Sequence, residues 1–242
     1  MKKLSAFSYQ LSAIVAIYFL LVGCAQAAQV GSPASLLAKG MWDMALEGGY
    51  ILERPMETDD TGDYHTDILY GYHSRSYAFT DRITFTAKVG GMYGYIYDES
   101  VAGAATKTSL GGGLALGGQV KGIIFESEDY DFEWDGSAQF LYFRSHHKSS
   151  GKGNADWYEW QIASCLAKKF GMFKPYAGIK FSTVDLNYDD GEGNTVSYDE
   201  DGNVGPFVGS DIYLGKDESF VINIEVGFLT GTEFYGGIKY RF

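Results

Sequence analysis

Apolar and polar residues alternate with a period of two along most of this chain. Near the C-terminus Phe220, Ile222, Ile224, Val226 and Phe228 interleave with Val221, Asn223, Glu225 and Gly227. That spacing turns successive side chains to opposite faces of an extended strand, one greasy and one polar. Trp42, Met44, Leu46, Tyr50 and Leu52 repeat it against Asp43, Ala45, Glu47 and Gly49. Ile83, Phe85, Ala87, Val89, Tyr93 and Tyr95 likewise oppose Arg82, Thr84, Thr86 and Lys88. Breaks at Gly, Asp and Asn then predict strands near 41–53, 66–79, 82–97, 108–126, 131–146, 155–169, 174–188, 204–215, 219–229 and 232–242. In two of these the apolar parity changes, from Ile68, Tyr70 and Tyr72 to Tyr77 and Phe79, and from Ala177, Ile179 and Phe181 to Val184, Leu186 and Tyr188. Each change predicts a bulge.

The connections alternate in length. Thr80-Asp81, Ser127 to Tyr130, Phe170 to Phe173 and Gly215 to Glu218 are short, whereas 54–65, 98–107, 147–154 and 189–203 are longer and only Thr230-Gly231 is tight on that side. Short periplasmic turns and longer outer loops are the asymmetry of bacterial barrels, and an even strand count puts both termini in the periplasm. Beyond residue 28 no run of roughly 18 or more apolar residues is available for a helix that spans a bilayer. The predicted fold class is therefore all-β: a closed antiparallel transmembrane β-barrel of about ten strands, with eight to twelve also compatible. A soluble β-sandwich or lipocalin-like barrel alternates too. Against it stand the Gly, Ser, Thr and mixed charges of the polar face and the aromatics near strand ends, Trp42, Tyr93, Tyr95, Tyr97, Trp157, Tyr158 and Trp160, placed as interfacial girdles are.

Composition agrees with many strands and turns: 16% aromatic residues and 32 Gly against 4 Pro. Lys2 and Lys3 followed by an uncharged apolar run from Leu11 to Val22 read as an export signal, residues 1–27. Two cleavages stay open there, one after Ala25-Gln26-Ala27 and one at the lipobox-like Leu21-Val22-Gly23-Cys24, which would lipidate Cys24. Residues 28–40 then form a periplasmic N-terminal segment and 41–242 the barrel. Loss of two Lys and no acid moves the net charge from −12 to about −14, which argues against a nucleic-acid partner. Cys165 is left without an intrachain disulfide partner once Cys24 is removed.

The final residues, Gly-Ile-Lys-Tyr-Arg-Phe, resemble the terminal strand of bacterial outer-membrane β-barrel proteins: Gly237, Tyr240 and Phe242 match, and Tyr235 occupies a position usually polar. Ser76-Tyr-Ala-Phe-Thr-Asp-Arg-Ile-Thr-Phe is similar to the strand-turn-strand units of small opacity-type and porin-like barrels. The resemblance implies a cell outer-membrane location, surrounding outer-membrane lipid, and recognition of the last strand by the barrel assembly machinery. It implies no ligand.

If the apolar set faces lipid, the other set points inward: Glu47, Lys88, Gln119, Lys121, Glu133, Asp135, Glu159, Gln161, Lys180, Asp211, Asn223, Glu225, Lys239 and Arg241. A bore this narrow is filled by side chains, and charges inside need partners or water, so a paired polar core is expected. The alternative is a narrow pore that prefers cations. Outer loops are acidic, with Glu57, Asp59, Asp60 and Asp63 in the first and Asp185, Asp189, Asp190, Glu192, Asp199, Glu200 and Asp201 around the fourth. The run from Asp185 begins like a calcium loop but has Asp190 where Gly is required and Val196 where Glu is, so it reads as a solvated acidic loop. His146 and His147 would point to opposite faces of a strand. His65 and His73 with the loop acids leave a rim hydrolase as a third reading, although no Gly-x-Ser-x-Gly, His-Glu-x-x-His or phosphate loop is present. No cofactor or metal site is expected. The functional readings are a structural or surface-interaction barrel that presents acidic loops over a largely filled lumen, or a small cation-preferring diffusion channel for small solutes.

Overall fold

The structure is a computed structural model that describes residues 37–58, 62–99, 106–146, 154–189, 194–200, 204–229 and 231–242. The export segment with Cys24, the loop acids Asp59, Asp60, Asp190, Glu192 and Asp201, and His147 lie outside these residues. The elements are β1 (Trp42–Glu57), β2 (Tyr64–Thr80), β3 (Ile83–Asp98), β4 (Thr106–Ser127), β5 (Phe132–His146), β6 (Asn154–Lys168), β7 (Phe173–Asp189), β8 (Thr195–Glu200), β9 (Val204–Leu214), β10 (Phe220–Phe228) and β11 (Thr232–Arg241). One 3₁₀ turn, Glu128–Tyr130, joins β4 to β5.

All strands but β8 form a closed antiparallel ring of ten, sealed where β1 pairs β11 from Asp43↔Arg241 to Leu52↔Thr232. Three of the short turns carry residues in the left-handed region, Asp131, Gly171 and Gly215 with Glu218, which lets antiparallel strands reverse within a few residues. Asp217 in the last of these accepts a hydrogen bond from Ser219 Oγ at 3.0 Å, which holds its exposed carboxyl below the ordinary range.

The ring changes membership along its axis. Up to Phe181↔Val204 β7 pairs β9, but from Asp185↔Asp199 to Asp189↔Thr195 it pairs β8. On the other side β1 leaves β11 after Leu52 and meets β8 at Met56↔Glu200 and Glu57↔Asp199. β1 to β8 thus form an outer collar above the shorter β9, β10 and β11. The switch is made by one extra residue: Glu53, at φ 52°, sits in a bulge between Ile51 and Arg54, and its amide donates to Asp67 Oδ1 at 3.0 Å. Beneath it Gly231 closes the β10–β11 turn. A Cβ there would lie 2.2 Å from Leu52 O and 3.0 Å from Arg54 N, so only glycine lets the turn seat against the bulge.

The ten strands match the alternation, and the longer loops gave way to structure at two places. β1 runs on to Glu57, and β8 occupies 195–200 inside the last long connection. The parity changes in β2 and β7 are not bulges. Ile68, Tyr70, Tyr72, Ser74, Ser76 and Ala78 all face inward without interruption, as do Lys180, Ser182, Val184 and Leu186. What changes is the polarity of the interior. A strand of 17 residues at ~45° tilt rises roughly 40 Å, more than the ~25 Å apolar band of an outer membrane, so its outer part stands in water. There the apolar side chains turn to the inside, as in a soluble protein. Trp157 follows the same rule and is fully buried rather than part of a girdle.

Candidate functional site

Around the outside, Trp160, Ile162, Ile179, Val204, Val208 and Ile224 stand exposed on a closed sheet. Aromatic rings flank this band: Trp42, Tyr77, Phe79, Phe85, Phe220, Tyr240 and Phe242 at the end with the termini, and Tyr93, Tyr95, Tyr97 and Tyr158 at the other. A closed barrel pairs every ladder group internally, and hydrocarbon is the solvent that favours such a surface. The chain is an outer-membrane β-barrel, with its short turns and both described chain ends at the same end of the barrel.

The candidate site is the bore, and it is layered. At the end with the short turns the segment before β1 crosses the mouth: Leu37 is buried, Lys39 N donates to Asp81 Oδ1 at 2.9 Å and Gly40 N to Ala78 O at 2.9 Å. Above it opens a vestibule of about 410 Å³ lined by Leu37, Glu133, Lys169, Lys174, Tyr213 and Arg241. Lys174 Nζ donates to Glu133 at 2.5 Å, Lys169 to Glu218 at 2.7 Å, and the Arg241 guanidinium lies 5.2 Å from the Tyr213 ring. Asp135 is buried beside Glu133 on β5, and Lys121 on β4 lies diagonally from it, opposite Ser137.

Next come pairs that bridge adjacent and next-but-one strands of the ring. Lys88 meets Glu47 at 2.8 Å, and Ser74 Oγ donates to the same carboxylate at 2.5 Å. Lys239 lies 3.8 Å from Asp43. Asn223 Nδ2 donates to Asp211 at 2.5 Å and to Tyr176 Oη at 2.9 Å, and Tyr176 in turn donates to Glu225 at 3.0 Å. Gly209 makes room for that ring, since a Cβ there would lie 2.4 Å from Tyr176 Cζ.

At the level of the bulge sits Arg54, fully buried. Nη1 donates to Glu159 at 2.8 Å, Nη2 to Glu233 at 2.5 Å, and Nε lies 3.4 Å from Glu200. Lys180 donates to the other oxygen of Glu233 and lies 3.9 Å from Glu225. Glu159 also accepts from Gln161 at 2.6 Å, Ser182 at 3.2 Å and Trp157 Nε1 at 3.3 Å. The planar fork of a guanidinium suits several carboxylates at once, and it ties β1, β6, β8 and β11 together where the ring changes from ten strands to eight. Above it the collar is closed by an apolar core that includes Ile51, Ile68, Phe143, Trp157, Leu186 and Tyr198.

The inward side chains named from the alternation thus lie in the bore, distributed over its height rather than gathered at one point. The bore also holds Arg54, Glu200, Glu233, Lys174 and Asp43, which are not among the inward charges named above from the sequence. Asp43, Lys174 and Glu233 share parity with Glu47, Lys180 and Lys239, a signal that was there to use. Arg54 needed the bulge and Glu200 needed β8. Glu200 is corrected here from a solvated loop acid to a buried ligand of Arg54. His65 and His73 are not brought together: His65 stacks on Tyr97 at 4.7 Å near the collar end, and His73 lies two turns of the alternation above the Trp42–Tyr77 ring pair at the end with the termini. Among the described residues no group of three His, Cys, Asp or Glu side chains is arranged to hold a metal ion.

In the last strand Gly237 faces the bore against the Tyr235 hydroxyl, which explains a tyrosine at a polar position: its oxygen points to the polar interior. Tyr240 faces lipid and packs on Phe220 at 4.8 Å. Phe242 seals the seam, its amide donating to Trp42 O at 3.1 Å.

No family model matches the sequence, and no curated protein matches it either. Solved structures do. The chain is similar to an outer-membrane channel of Pseudomonas putida F1 (9% identity, 87% of this chain and 99% of that one, TM-score 0.49). It is also similar to the outer-membrane protein OprG of Pseudomonas aeruginosa (8%, 85% and 97%, 0.46) and to the outer-membrane protease OmpT of Escherichia coli (11%, 87% and 100%, 0.45). These likenesses concern barrel architecture, and no function passes across them.

Proposed function

We propose that this protein is a closed, non-conducting outer-membrane barrel with a structural or surface-interaction role, whose membrane part carries an acidic outer collar. The observation that carries this reading is the Arg54 cluster under the apolar core of Trp157 and Phe143: fully buried side chains occupy the bore above the vestibule. A pore needs a continuous wet path, and Arg54 would have to leave three carboxylates to open one. The collar meets water with Glu57, Asp185 and Asp199 exposed on its outer side, which favours a cationic surface partner. Recognition of β11 by the assembly machinery belongs to the same proposal, supported by Tyr240 and Phe242 on the lipid side of the closing seam.

The test is single-channel recording of the purified barrel in planar bilayers. A flat trace is expected. Steady unitary conductance would reject the closed reading and favour the second, a cation-preferring channel, which draws on the excess of carboxylates over cations around Arg54 and Lys180.

A further inference from the structure

The outward face of β2 contains an anomaly. Between the two aromatic rings, among the described residues, the lipid-facing positions are apolar, glycine or uncharged everywhere except at His73 and Arg75. Arg75 is flanked by Met44 on β1 and Ala87 on β3, and His73 by Leu46 and Val89. Among the described residues no carboxylate forms an ion pair with Arg75, and its Nε donates to the His73 imidazole at 3.4 Å. A guanidinium in that band without a counter-charge is unfavourable, so an intramembrane cation calls for a partner from outside the chain.

Three features say what the partner is. Arg75 lies two residues above Tyr77, hence about 5 Å above the Trp42–Tyr77 ring pair at a ~45° strand tilt, the depth at which the phosphates of the periplasmic leaflet begin to be within reach of a long side chain. On the other side, towards the bilayer centre, Gly236, Gly48, Gly71 and Gly91 stand side by side across four strands. Bare backbone there leaves a shallow notch in the wall directly above the cations. Below them the tilted Trp42 and Tyr77 rings, 4.7 Å apart, offer an amphipathic floor.

We infer that β2 carries a binding site for one phospholipid of the periplasmic leaflet, its phosphate held by Arg75 with His73 beside it and an acyl chain lying in the glycine notch. The order of the parts follows the order of the lipid: headgroup at the aromatic ring, chain towards the bilayer centre. A phosphate accepts the Arg fork bidentately, and its charge removes the penalty that Arg75 otherwise carries. A second copy of the chain would instead have to bring a carboxylate, and among the described residues the outward band between the aromatic rings offers none.

Native mass spectrometry of the full barrel in detergent tests this with palmitoyl-oleoyl phosphatidylglycerol, the matching diacylglycerol, and inorganic phosphate. One phosphatidylglycerol is expected to stay bound to a monomer, with neither other probe retained. Arg75→Leu and Arg75→Gln, both compatible with an apolar surface and each checked for its folded mobility before heating, are expected to weaken retention roughly tenfold, the scale of one charge-assisted pair. Retention unchanged in these variants, equal retention of diacylglycerol, retention of inorganic phosphate alone, or a wild-type dimer that Arg75→Leu dissolves would each overturn the inference.

Discussion

Arg54 stands where a single inserted residue has its largest effect. Without Glu53 in the left-handed region, the alternation of β1 would send Arg54 outward; with it, the guanidinium enters the bore and meets Glu159, Glu200 and Glu233. Removing one member of a buried ion network leaves its partners charged and desolvated, at about 3–5 kcal/mol. Arg54→Met is therefore expected to lower stability by that order in urea titrations of the barrel refolded in lipid vesicles; an unchanged midpoint would mean that water already solvates the cluster. Gly209→Ala tests packing instead of charge. Its Cβ would meet Tyr176 Cζ at 2.4 Å and Ile224 O at 2.6 Å, so the ring that holds Glu225 and Asn223 must move, and overpacking of this kind costs about 1–3 kcal/mol. The same titration reads it. At this scale the sequence shows the side on which a residue lies and not what it touches: Glu233 and Lys180 share an inward parity, yet nothing in their spacing joins them.

Among the elements, β8 is the one that alternation did not disclose. It has six residues, lies between acidic stretches, and pairs with β7 through five positions and with β1 through two. Short strands of mixed polarity carry little periodic signal, and this one is made by β7 and β1 extending past their shorter neighbours. Its amides are expected to exchange with deuterium well before those of β6, which is paired along its length on both sides. Equal protection of 195–200 and 156–166 would show the collar to be as rigid as the membrane part. The strands of the ring were legible because lipid on one side and polar groups on the other enforce a period of two. Where β2 and β7 rise out of the membrane the contrast inverts, and the same pattern of letters was readable as a bulge. β11 adds a test of assembly: deletion of Phe242 is expected to reduce outer-membrane insertion, measured as folded barrel in membrane fractions, while full insertion would remove the seam residue from that role.

Taken whole, the molecule is a barrel with two solvents outside it. Hydrocarbon meets the lower part, whose interior is polar and ion-paired; water meets the collar, whose interior is apolar. The most direct measurement is a nitroxide scan in lipid bilayers along β6 and the outer half of β7, in a Cys165→Ser background, comparing collisions with oxygen and with a water-soluble nickel chelate. Labels at Trp160, Ile162 and Leu166 are expected to be reached by oxygen, those at Gln161 and Ala163 by neither reagent, and those at Asp185 and Asn187 by nickel. Nickel access at Trp160 and Ile162, with oxygen excluded, would contradict it.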